Sequence, residues 1–225
     1  MIWLRAHWPL IALLAAVLAL WSTPAMLPLK ILTVFFHELS HLLATRLTGG
    51  TPESLSLSPH QGGAVLSRGG NRFAILSSGY LGSLFLGLAL FFAALRSRAD
   101  RWVMAALGLT MIAVAALYVR EAFALGFCLG TGALMLAAAR YLPHGPNDLI
   151  LRLIGLTSIV YVPLDIFSDT LARAHLMSDA RMLADHTGIP TMLWGALWLV
   201  LSLAAIALAL RSTFRAPPRE TPRRG

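Results

Sequence analysis

The sequence predicts an all-α, polytopic membrane protein of six or seven transmembrane helices, with one small β-hairpin inserted after the second apolar segment. Apolar residues make up 57% of the 225 positions and charged residues only 12%, which is more hydrophobic surface than a soluble domain of this size can bury. Apolar runs recur along almost the whole chain, and runs of roughly 17 to 25 residues are long enough to cross a hydrocarbon layer of about 30 Å as a helix. One interval between Gly49 and Gly70 breaks this pattern with alternating Leu and Ser.

In order, the spans are expected at about Trp8 to Ser22, Pro24 to Leu47, Arg72 to Leu95, Trp102 to Tyr118, Ala122 to Tyr141, Leu149 to Ile166 and Pro190 to Leu210. The first resembles a signal peptide in outline, with Arg5 and His7 before Leu10 to Trp21, but no A-x-A site follows, so an uncleaved span is expected. Between the second and third, Leu55 and Leu57 alternate with Ser54, Ser56 and Ser58, and Gly62-Gly63 offers a turn before Ala64 to Leu66. This is the signature of a β-hairpin over residues 49–70, and its open edge could accept an extended peptide; a polar connecting loop is the alternative. Gly79, Gly82, Ser83 and Gly87 give the third span a small-residue face suited to close helix packing. Arg120 and Glu121 separate the fourth and fifth spans, by a short turn or by a broken helix. Residues 1–210 thus form one membrane domain, and the basic, Pro-rich residues 211–225 are expected as a disordered tail near anionic headgroups.

The net charge of +8 does not point to nucleic acid, because Lys and Arg cluster at the ends of apolar runs and in the tail, where membrane proteins keep them. The expected surroundings are a lipid bilayer, a plasma or inner membrane. A single cysteine, Cys128, excludes an intrachain disulfide and a cysteine-based zinc cluster.

Chemistry concentrates in the second span, which contains His37, Glu38 and His41. Residues four apart on a helix at about 100° per residue lie about 40° apart on one face, so both imidazoles can reach one ion. Glu38 falls beside them, placed to act on a water without binding the metal itself. Ionisable residues inside a span are costly and mark functional sites. Zinc is therefore the expected cofactor, and it needs a third protein ligand. The extended pattern with a third histidine is absent, because Ala44 and Leu47 stand where its Gly and His would be. The acidic residues close to apolar spans are Glu121, Asp165 and Asp169. Asp165 lies just past Pro163, whose missing donor can loosen the helix and turn a carboxylate inward, which makes it the first choice. Asp169, one turn on, is the alternative ligand or a group that orients one. Asp179 and Asp185 read as solvated loop charges, with N-capping by Ser178 or Asp179 as a special case. Lys30 is expected to reach towards the interface, and His60, His144, His175 and His186 to be surface imidazoles.

These residues resemble the site-2 protease group of intramembrane metallopeptidases, in its compact M50B-like branch. The resemblance rests on "FFHELSHLLATRLTGG", "GGAVLSRGG", "SSGYLGSLFLG", "YVPLDIFSDT" and "SDARMLADHTGIPTMLWGALW". It implies hydrolysis of a peptide bond within or beside the membrane span of a protein or peptide substrate, with His37, His41 and an aspartate on zinc and Glu38 as general base. Better-known members carry an Asp-Gly pair in the ligand segment, where this chain has Asp165-Ile166. A related enzyme type with Glu121 as third ligand, and a non-catalytic membrane protein that binds or transports metal through the same cluster, are the alternatives.

Overall fold

The computed structural model describes residues 2–173 and 177–215. Among them the chain forms α1 (Ile2–Leu20), a 3-10 turn (Pro24–Met26), α2 (Leu27–Leu47), β1 (Thr51–Leu57), β2 (Gly63–Arg68), α3 (Arg72–Arg96), α4 (Asp100–Tyr118), α5 (Ala122–Tyr141), α6 (His144–Phe167), a π-helical turn (Ser168–Ala172), α7 (Asp179–Thr187) and α8 (Thr191–Arg215). Six of the helices are long and apolar enough to cross a membrane, and α1 contributes a shorter apolar stretch over His7–Leu20. The chain is an integral, multi-pass membrane protein.

The expected break near Arg120 is a turn at Val119–Glu121 between two complete helices, α4 and α5, which pack side by side. α8 runs to Arg215, beyond the expected end at Leu210, with the Thr213 hydroxyl donating to the Ala209 carbonyl at 2.9 Å. The remainder of the expected tail, from residue 216, lies outside the described residues, as does His175.

Two elements hold the centre of the bundle. α2 is buried over most of its length, from Ile31 to Leu42, and α3 packs against both α2 and α6. Small residues make the α3–α6 contact close enough for the Ser158 hydroxyl to donate to the Ser83 carbonyl at 2.9 Å, the packing role expected of that face. Pro163 lies inside α6 without ending it. Cys128 is fully buried, a packing residue as expected.

The hairpin forms as the alternation predicts. β1 and β2 pair antiparallel, with Leu55 opposite Val65 and Ser56 opposite Ala64, and one irregularity between Pro52 and Ser54. Leu55 and Leu57 are buried, while β2 alternates between half-buried and exposed residues. The turn closes through Ser58 N–H to the Gly62 carbonyl at 2.7 Å, with Gln61 at φ 64°. The buried face of β1 fixes the register and lays β2 along the motif face of α2.

Candidate metal centre

His37 and His41 project from the same face of α2, their ring centroids 4.7 Å apart. The Nδ1–H of His41 donates to the Ile75 carbonyl at 2.7 Å, since a carbonyl can only accept. That bond fixes the tautomer and leaves the Nε2 lone pair facing the cavity. Across from it stands a carboxylate from the other end of the chain. Asp179 Oδ2 lies 2.8 Å from His37 Nε2 and 3.1 Å from His41 Nε2.

Asp179 is placed by α7, a short helix that folds back from the end of α6. Ser178 caps it, its hydroxyl accepting from Arg181 N–H at 3.3 Å, and Gly188 ends it in the left-handed conformation. Ala180 and Leu183 bury one face of α7, and the Trp194 indole N–H of α8 donates to Thr187 Oγ1 at 3.1 Å. Asp179 therefore occupies the first turn of a packed helix and is only 7% exposed. Burial alone would raise its pKa, but the facing His41 and His37, with their hydrogen bonds, outweigh it and hold the carboxyl below the usual carboxylate range. An ionised carboxylate is the form a metal requires.

The donor atoms of His37, His41 and Asp179 all lie within 4.8 Å of one another. Two imidazole nitrogens and one carboxylate oxygen are a common catalytic zinc set, and tetrahedral coordination at about 2.0–2.2 Å would space such donors by roughly 3.3 Å. The residues present fit zinc. Glu38, in contrast, is outside the donor group. Its side chain is 4% exposed and Oε2 has no hydrogen-bond partner among the described residues, which leaves an acceptor for a water in the cavity.

Two glycines make this geometry possible. At Gly79 on α3 a Cβ would fall on His37 Nε2 and within 2.7 Å of Asp179 Oδ2, so the absence of a side chain opens the space in which the ligands meet. At Gly63 a Cβ would fall 2.7 Å from Glu38 Oε1, so the start of β2 runs directly over the Glu38 carboxylate. Gly79→Ala is expected to lower zinc affinity about a hundredfold, the upper range for displaced ligand supports, while the bundle still forms. Competition titration with a chromogenic chelator checks this, and wild-type affinity in the variant would show that the ligands do not meet beside α3.

Asp165, expected as the third ligand, and Asp169, its alternative, line the same cavity but lie outside the group of converging donors. The physical reason is that Pro163 does not break α6, so Asp165 stays on the α6 wall while α7 brings Asp179 to the imidazoles. Asp169 is already engaged, accepting from the Tyr80 hydroxyl at 2.7 Å and from Arg173 at 2.8 Å. Tyr80 in turn sets its ring edge-on to His37, 4.8 Å between centroids. Glu121 is an exposed residue at the head of α5 and does not line the cavity. Asp179 was expected as a solvated loop charge, and its burial corrects that expectation. Asp185 fits it, exposed and paired with Arg181 at 3.3 Å. His144 pairs with Asp100 at 2.5 Å, and His60 lines an adjoining cavity. Lys30 does more than reach outwards, with Nζ 4.5 Å from the centroid of the Trp21 ring.

No curated protein sequence and no solved structure matches this chain. A family model does match, over residues 10–209, and its description is Peptidase M50B-like. The match takes in α2 with its motif, the hairpin, and α7 with Asp179, so the converging residues and the membrane helices fall within one family pattern: the chain belongs to the Peptidase M50B-like family.

Proposed function

We propose that this protein is an intramembrane zinc metalloendopeptidase that hydrolyses a peptide bond within or next to the membrane span of a protein substrate. One observation carries the proposal. A metal-fitting donor group and a buried carboxylate with an unpartnered oxygen share one cavity of about 310 Å³ inside a bundle of apolar helices.

His37, His41 and Asp179 would hold zinc, which when bound would make a water acidic, towards a pKa of about 7, and polarise the scissile carbonyl. Glu38 Oε2 accepts the proton of the attacking water and delivers it to the nitrogen of the leaving amine. The Ile75 carbonyl holds the His41 imidazole in the tautomer and orientation this requires. A substrate helix has its carbonyls bonded internally and must unwind before attack. The cavity is bordered by Gly63, Ala64 and Val65 of β2, and the unpaired edge of that strand can receive the unwound segment by strand addition.

The test uses the full chain in lipid vesicles with membrane-spanning peptides. Peptide-bond hydrolysis should vanish on chelation and return with zinc, read by mass spectrometry of the products. Zinc uptake into the vesicles with every peptide intact would instead favour a transporter.

A further inference from the structure

The cavity at the donor group does not end there. A second cavity, about 400 Å³, opens between the hairpin turn, the start of α2 and the far part of α6. Gln61, Asp165 and Arg173 border both cavities, so the two form one groove leading away from Glu38. Arg173 is held by Asp169 and Ser168. Two other ionisable side chains on the walls lack a hydrogen-bonded or ion-paired partner among the described residues. The Asp165 side chain makes no hydrogen bond or ion pair among the described residues, although that of its neighbour Asp169 makes both. Lys30 lies over the Trp21 ring, with no carboxylate at ion-pair distance among the described residues.

A carboxylate and an ammonium left unpaired inside membrane-spanning helices are costly, and they differ in sign along one groove. Groups of this kind discriminate between partners, because a matching charge relieves the cost and a like charge adds to it. We infer that the groove reads the charge pattern of an extended substrate segment: Asp165, beside the donor group, takes a Lys or Arg side chain, and Lys30, further along, takes an Asp or Glu side chain. Asp165 is then a specificity residue and not a ligand. The Trp21 ring keeps the Lys30 ammonium in place until a carboxylate arrives. This inference rests on the peptidase reading above and adds the substrate class to it.

The test uses the full chain carrying Glu38→Gln, so that bound peptide stays intact, in lipid nanodiscs loaded with zinc. Fluorescent membrane-segment peptides differ only in one basic and one acidic position, and binding is followed by anisotropy. Asp165→Asn should weaken binding of the peptide with the basic residue about tenfold and leave the version neutral at that position unchanged, and Lys30→Gln should do the same for the acidic position. Exchanging the two charges, Asp165→Lys with Lys30→Glu, should move the preference to the reversed peptide. Equal binding of charged and neutral peptides, or a uniform loss for all of them in both variants, would overturn the inference. Wild-type cleavage of the same peptides separates the two levels. Charge-selective binding with no cleavage removes the peptidase reading and leaves the groove; cleavage with no charge preference does the reverse; neither binding nor cleavage counts against both.

Discussion

Asp179→Asn should leave a folded protein that no longer retains zinc, with affinity reduced by at least about a hundredfold and hydrolysis below detection. The Asp179 carboxylate faces both imidazoles, at 2.8 and 3.1 Å, and the amide that replaces it is neutral and a poorer ligand. Ser178 still caps α7, and Ala180 and Leu183 still bury its inner face, so the loss is local. Asp165→Asn is the matched control, because it changes a carboxylate in the same cavity that does not join the donor group. Metal content by mass spectrometry on both variants decides the matter. Retained zinc in Asp179→Asn, or its loss in Asp165→Asn, would reassign the third ligand.

Glu38→Gln should reduce the rate of hydrolysis by about a thousandfold with zinc content unchanged, in the range expected when a general base is removed. The amide keeps the shape of the side chain beside Gly63 and loses the ability to take a proton. Gly63→Val probes the same role from the backbone. Its branched side chain would enter space held by the Glu38 carboxylate, and a displacement of about 1 Å at a catalytic group costs about a hundredfold. Both variants should accumulate uncut membrane proteins in cells. Full activity in Glu38→Gln would exclude Glu38 as the base.

Much of this arrangement was legible in the sequence because it depends on local spacing. His37 and His41 share a face because they are four residues apart on a helix. Leu55 and Leu57 bury one face of the hairpin because strand residues alternate. The spans follow from the length of the apolar runs. The proposed third ligand was not legible in the same way. Asp165 stands at the end of an apolar span, where a carboxylate draws attention, whereas Asp179 lies in a polar stretch whose burial comes from packing against α3 and α8. Local signals for α7 were present, in Ser178 at the N-cap, the apolar pair Ala180 and Leu183 at helical spacing, and Gly188 as terminator. They announce a helix, but only the tertiary fold shows which way its first residue points. The end of α8 was missed for a simpler reason: Arg211, Ser212 and Thr213 are not apolar, yet nothing in them stops a helix.

His37 and Asp179 are 142 residues apart, and this separation has a consequence in time. At ordinary translation rates the motif helix enters the membrane on the order of ten seconds before α7 exists. During that interval Glu38 has two imidazoles beside it but no complete donor set to work with. If Asp179 completes the site as proposed, a newly made chain would be unable to cut its neighbours at the insertion site until its late segments had folded back over the early ones.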